Sequence, residues 1–143
     1  MSNPRQAMND FVTAIQRGKP GRVGEMLDRS PELVSMYHAG SFGGTGLIQA
    51  VLTDEGVMVD LLLDAGANIN AASGRIHKNE PLGWAIVSGA SEAVRVFLEC
   101  GAVVSEGHRK DAELGAKGEL RNRHRDRPLK AWVEIRDRLL ESN

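Results

Sequence analysis

Apolar residues recur along this chain in short bursts at helical spacing, separated by breaks rich in glycine and proline. Phe11, Ala14 and Ile15 form one burst, Leu47, Ala50 and Val51 a second, and Leu82, Ala85 and Ile86 a third. Each is followed by a partner burst: Val23, Met26 and Leu27; Val59, Leu62 and Leu63; Val94, Phe97 and Leu98. Spacing at i, i+3 and i+4 puts such residues on one face of a helix. Shifts of 36 and then 35 residues superpose the three copies. A period of about 20–50 residues marks an array of stacked units, because one helix pair cannot bury its apolar face alone. The pattern predicts an all-α chain in which Leu62 is buried between layers.

The breaks set the expected boundaries. Residues 1–8 read as a loose lead-in, with Asn9 or Asp10 capping the first helix. Gly18-Lys19-Pro20-Gly21 interrupts the helix, and a second helix is expected from about Arg22 to Asp28, stopping at Ser30-Pro31. The same shift carries Val94, Phe97 and Leu98 onto Leu129, Trp132 and Val133, which predicts a divergent fourth unit over residues 109–141. Its first helix would use Ala112, Leu114, Ala116 and Leu120, weakened by Gly115 and Gly118. Its second would begin near Pro128, and residues beyond Val133 would cover the end of the core.

The units open on Thr45-Gly46-Leu47-Ile48-Gln49-Ala50 and Glu80-Pro81-Leu82-Gly83-Trp84-Ala85. They close on Leu61-Leu62-Leu63-Asp64-Ala65-Gly66-Ala67-Asn68-Ile69-Asn70 and Val96-Phe97-Leu98-Glu99-Cys100-Gly101-Ala102. These segments resemble the ankyrin repeat family, with its Thr-Pro-Leu-His-x-Ala opening and its Leu-Leu…Gly-Ala close. The opening His is replaced by Ile48 and Gly83, and the Thr by Glu80. The resemblance implies an all-α, ankyrin-like solenoid of helix-turn-helix repeats joined by extended finger loops. It divides a single domain, 1–143, into a capping repeat at 8–35, repeats at 44–72 and 79–106, and a capping repeat at 109–141. Against the family's usual period of about 33 residues, the two connections from Ser35 to Thr45 and from Asn70 to Glu80 are each longer by about two. The family's usual role implies a protein–protein interaction module.

Composition narrows the classes. The 143 residues are 41% hydrophobic and 4% aromatic, with a formal net charge of −1. A near-neutral chain has no global attraction to nucleic acid or membranes. No apolar run approaches the ~18 residues of a transmembrane helix, and MSNPRQAMNDF carries no apolar signal-peptide stretch. With a single cysteine, these features lead to the expectation of a cytoplasmic protein. Cys100 aligns with Ala65 and is expected to be a small buried side chain rather than a nucleophile.

Partner-binding residues are expected in two places. The first is the finger tips: Tyr37, His38 and Phe42 on one, Arg75, Ile76, His77 and Lys78 on the other. Their side chains either anchor a partner, as aromatic residues on scaffolded loops do, or fold back over neighbouring fingers. The second is the end of each first helix, at Gln16-Arg17, Leu52-Thr53 and Val87-Ser88, which by the resemblance line a concave groove. A third feature, Arg121-Asn122-Arg123-His124-Arg125-Asp126-Arg127, supports an alternative nucleic-acid-associated reading in which Arg121, Arg123, Arg125 and Arg127 grip phosphates. Yet residues 105–143 hold eight Asp and Glu beside ten Lys and Arg, and no aromatic interleaves the run for base stacking. A solvated loop or a patch for an acidic protein is the favoured reading.

No His-x-x-x-His, Cys-x-x-Cys or phosphate-binding glycine loop occurs. His38 and His108 fall on the same finger position two repeats apart, a separation of roughly 16–20 Å for helices packing at 8–10 Å per layer. That is too far for one zinc ion. No catalytic residue, metal, cofactor or small-molecule substrate is therefore expected. The chain is expected to bind a protein without catalysis, by occluding or scaffolding it, and an inhibitor or immunity-type role fits.

Overall fold

The computed structural model describes residues 3–38, 44–71, 80–120 and 127–142. Among them are eight α-helices and no strand: α1 (Pro4–Gln16), α2 (Pro20–Arg29), α3 (Gly46–Thr53), α4 (Gly56–Asp64), α5 (Pro81–Ser88), α6 (Ser91–Glu99), α7 (Glu106–Ala116) and α8 (Leu129–Glu141). A 3-10 turn, Pro31–Ser35, follows α2. Six of the eight are short, and helices under about 12 residues are marginal alone in water. Packing must hold them. The helices pair as α1–α2, α3–α4, α5–α6 and α7–α8, and the pairs make two rows: α1 touches α3, α3 touches α5 and α5 touches α7, while α2, α4, α6 and α8 touch in the same order.

Burial follows the 35–36-residue register through the first three pairs. Phe11, Leu47 and Leu82 are buried, as are Ala14, Ala50 and Ala85, Ile15, Val51 and Ile86, and Val23, Val59 and Val94. Leu62 is fully enclosed, as its position in the repeat predicts. The rows lie close because the contact residues are small. A side chain at Gly46 would strike the Phe11 ring at 2.8 Å and Ile15 Cδ1 at 2.9 Å.

Several boundaries differ from the sequence expectation. α1 begins at Pro4, not at Asn9 or Asp10. The Asn3 side chain accepts the Arg5 N–H at 2.9 Å, Pro4 takes the first helical position, and Met8 adds a buried turn. Pro20 starts α2 rather than merely ending α1. The third connection carries no finger. Ser105, which the period aligns with Asn70, caps α7, its Oγ accepting from the His108 N–H at 3.2 Å. His108 Nδ1 accepts the Ser105 N–H at 3.0 Å in return, and His108 Nε2 hydrogen-bonds Glu80. His108 therefore sits in a helix and does not share a finger position with His38.

The last pair also departs from the simple shift. Leu129 is 44% exposed and Leu140 69% exposed, while Ala131, Trp132, Ile135 and Leu139 are buried. The cause is the indole of Trp132. Its Nε1–H needs an acceptor when buried and finds the Ile86 carbonyl at 2.8 Å, which sets the rotation of α8. The ring lies against Gly89 and Gly115, leaving no room for a Cβ at Gly115. Gly115 is thus a requirement of the fold rather than a weakness of α7.

Three substitutions test this packing. Leu62→Ala is expected to cost about 2–5 kcal/mol, the range for large-to-small core changes, and a thermal melt equal to wild type would refute the register. Gly115→Ala gains about 1 kcal/mol of helix propensity but overpacks against a fully buried ring, at about 1–3 kcal/mol, so its melting temperature should fall. Gly24→Ala in α2, where a Cβ meets nothing within 4 Å, should raise it.

Candidate functional site

The first connection is described only at its base. Tyr37 and Thr45 form an isolated antiparallel bridge, and the His38 N–H donates to the Gly44 carbonyl at 2.8 Å. His38 Nε2 lies 2.9 Å from Asn9 Oδ1, which ties the connection to α1. Thr45 is buried beneath, whereas the Tyr37 side chain stands out, 61% exposed. A ring this exposed contributes little to the core. Phe42, Arg75, Ile76, His77 and Lys78 lie outside the described residues, as do Arg121, Arg123 and Arg125.

Along the ends of the first helices, the six expected residues do not form one uniform surface. Gln16 and Arg17 are exposed, and Leu52, Thr53 and Val87 are half-buried. Ser88 is 6% exposed, and its hydroxyl donates to the Trp84 carbonyl at 2.7 Å. The Thr53 hydroxyl likewise donates to the Ala50 carbonyl at 3.1 Å. These two hydroxyls satisfy their own helices, which leaves Leu52 and Val87 as the apolar contribution to this face.

Asp54 is the residue that sequence reasoning missed. It ends α3 in the left-handed conformation, φ 54°, and is the one non-glycine residue with positive φ among the described residues. The register places Gly18 and Gly89 at the same point of their units, with φ of 64° and 71°. An L residue in that region costs about 1–2 kcal/mol. Here the side chain offsets that cost. Asp54 Oδ1 accepts the Ala93 N–H at 3.1 Å, and Oδ2 accepts from Arg127 at 2.9 Å. Arg127 also donates to the Leu52 carbonyl at 3.2 Å. These bonds work against both the backbone cost and the cost of burying the carboxylate. The one available signal was an aspartate where the register has glycine. Arg127, expected with the basic run, is held by Asp54 and by the end of α3 instead of facing outward for phosphate.

Cys100 is exposed, against the expectation of a buried side chain. Desolvation, then the carboxylates of Asp60, Asp64 and Glu99, raises its thiol above the ordinary value of 9.0, which disfavours the reactive thiolate. Among the described residues no group of three or more His, Cys, Asp and Glu is placed to hold a metal. None of the described helices is long and apolar enough to cross a membrane. Comparison with protein-family models finds no match, and comparison with curated proteins finds none.

Burial raises the Asp54 carboxyl above its ordinary 3.8, although the Ala93 N–H and Arg127 both pull it down. The native state therefore holds this proton more tightly than the unfolded chain. The stability Asp54 contributes is greatest below 3.8 and falls as pH rises through the native value. In urea melts, the difference between wild type and Asp54→Asn should move in favour of wild type as pH falls from about 7 towards 4. A drift the other way would mean that Arg127 and Ala93 outweigh burial.

Proposed function

We propose that this chain is an ankyrin-like, non-catalytic protein-binding module. Its partner is held by the connections that precede α3 and α5 and by the adjoining face of the first helices. The observation that carries this reading is Tyr37, an aromatic side chain exposed at the base of a connection that is pinned to the scaffold by the Thr45 bridge and the Asn9 contact. Rigidly based, exposed aromatic residues lose little conformational entropy on binding and act as anchors. The 35–36-residue period and the two rows of helix pairs support the ankyrin-like reading. Leu52 and Val87 would extend the contact as an apolar strip, and Arg75 and Lys78 would favour an acidic rim on the partner. Occlusion or scaffolding of that partner, as by an inhibitor or immunity-type protein, is the mode proposed. A cytoplasmic setting goes with it. The alternative of nucleic-acid association loses one of its four arginines to Asp54.

The test is affinity capture from native extract with wild type and with Tyr37→Ala/Phe42→Ala. The double variant is expected to keep its melting temperature and to weaken capture of the same protein by at least about 2 kcal/mol, a hot-spot-sized loss. Undiminished capture by a folded double variant would remove these two rings from the interface. A salt-sensitive nucleic-acid titration with no protein captured would favour the alternative.

A further inference from the structure

The first helix pair carries a cleft of about 470 Å³ lined by Asp10, Thr13, Ala14, Arg17, Lys19 and Arg22. Its place in the repeat register says what kind of surface it is. The positions of Asp10, Ala14, Lys19 and Arg22 are occupied in the second pair by Gly46, Ala50, Glu55 and Met58, and in the third by Pro81, Ala85, Ala90 and Ala93. In the second pair, Gly46 and Glu55 face the layer before them. Gly46 lies under Phe11 and Ile15, the Glu55 carboxylate lies beside Gly18, and Ala50 and Met58 are fully buried. The cleft of the first pair is the same face with no described helix stacked on it.

Its chemistry differs from that of the inner faces. Arg17, Lys19 and Arg22 make no ion pair among the described residues, and Asp10 accepts from the Gln6 amide at 2.9 Å. Elsewhere Arg95, Arg127 and Arg136 each meet a carboxylate, and Arg109 meets the Leu139 and Ser142 carbonyls. Arg5, Arg29 and Arg138 also make no ion pair among the described residues, but they do not gather around one cleft. At the register positions of these three cations the inner layers carry Thr53, Glu55 and Met58, then Ser88, Ala90 and Ala93. Stacking therefore does not call for cations here. The floor is the methyl of Ala14, the size of contact that lets a helix approach closely.

We propose that this end face docks an acidic helix of a protein partner, which stacks on α1 and α2 as an added layer. A small side chain of that helix seats on Ala14, and its carboxylates pair with Arg17, Lys19 and Arg22. A helix fits better than a point anion because the cations are spread over the end of α1 and the first turn of α2 around an apolar floor. The cleft shares Arg17 with the first-helix face proposed above but is not lined by Tyr37, so the peptide titration and the capture experiment test the two readings separately.

The probe is a fluorescein-labelled helical peptide of alanine and glutamate, titrated with the full chain beside the same peptide carrying glutamine for glutamate. The glutamate peptide should bind at least about tenfold more tightly and weaken with added salt. Arg17→Gln/Lys19→Gln/Arg22→Gln should keep the wild-type melting temperature and lose about tenfold in affinity. Arg5→Gln/Arg29→Gln, which removes exposed charge outside the cleft, should change nothing, and Tyr37→Ala/Phe42→Ala should bind the peptide like wild type. Equal losses in the two charge variants would overturn the proposal, as would absence of glutamate-dependent binding. Full displacement by inorganic phosphate would reduce the cleft to a simple anion site and overturn the helix. Self-association in sedimentation, abolished by the triple variant, would assign the face to a second copy instead.

Discussion

Everything in this molecule depends on how closely one helix pair can lie on the next. The contact is set by side chains of one carbon or none: Gly46 under Phe11 and Ile15, Ala50 and Ala85 in the first-helix row, Ala93 in the second. Helices of eight or nine residues contribute little stability of their own. Their stability comes from apolar surface sealed between layers, and a layer held off by even one extra methyl would lose dispersion contacts along its length. The same constraint ends the array. Trp132 has the bulk to close the last layer only because Gly89 and Gly115 clear a slot for its ring.

That constraint explains how far the sequence could be read. A repeated i, i+3, i+4 pattern reports a packing environment that recurs, so the first three pairs, their burial and the inward place of Leu62 were legible. The period stops being informative where the environment stops recurring. In the last pair, only six residues separate α6 from α7 and the long connection moves to between α7 and α8. Shifting the sequence by 35 residues aligned Trp132 correctly and Leu129 wrongly. One hydrogen bond from the indole to the Ile86 carbonyl, invisible to hydropathy, sets the helix rotation. At the other end, Asn3-Pro4 was a readable cap, but the first strongly periodic residues drew the boundary too late.

The candidate surface was less legible, because function here rests on exposure and on polar pairing rather than on periodicity. Ser88 and Thr53 look like available groove residues, yet both hydroxyls close onto carbonyls one turn back. Cys100 looks like a core residue by alignment with Ala65, yet both are exposed, since that stretch ends its helix on the outer side. Arg127 reads in the sequence as one of four similar arginines, and its pairing with Asp54 is not visible there. Of the unpaired cations of the first pair, Arg17 was expected at a partner surface, but its grouping with Lys19 and Arg22 was not legible: a charge run is visible in one dimension, whereas these three meet only when α1 turns into α2.

The bond from Arg127 to Asp54 joins residues 73 apart, and Arg127 reaches the Leu52 carbonyl across 75. Most other contacts in an array of this kind run between neighbours, and such arrays open from their ends. The tie closes a loop that contains α4 to α7 and holds the residue just before α8 to the end of α3, so the start of α8 cannot peel away without breaking it. The first pair is held instead by the shorter-range tie of His38 to Asn9, 29 residues apart. Fluctuations should therefore be unequal at the two ends, with amides of α1 and α2 exchanging through local opening while those of α8 exchange together with the α3–α4 turn.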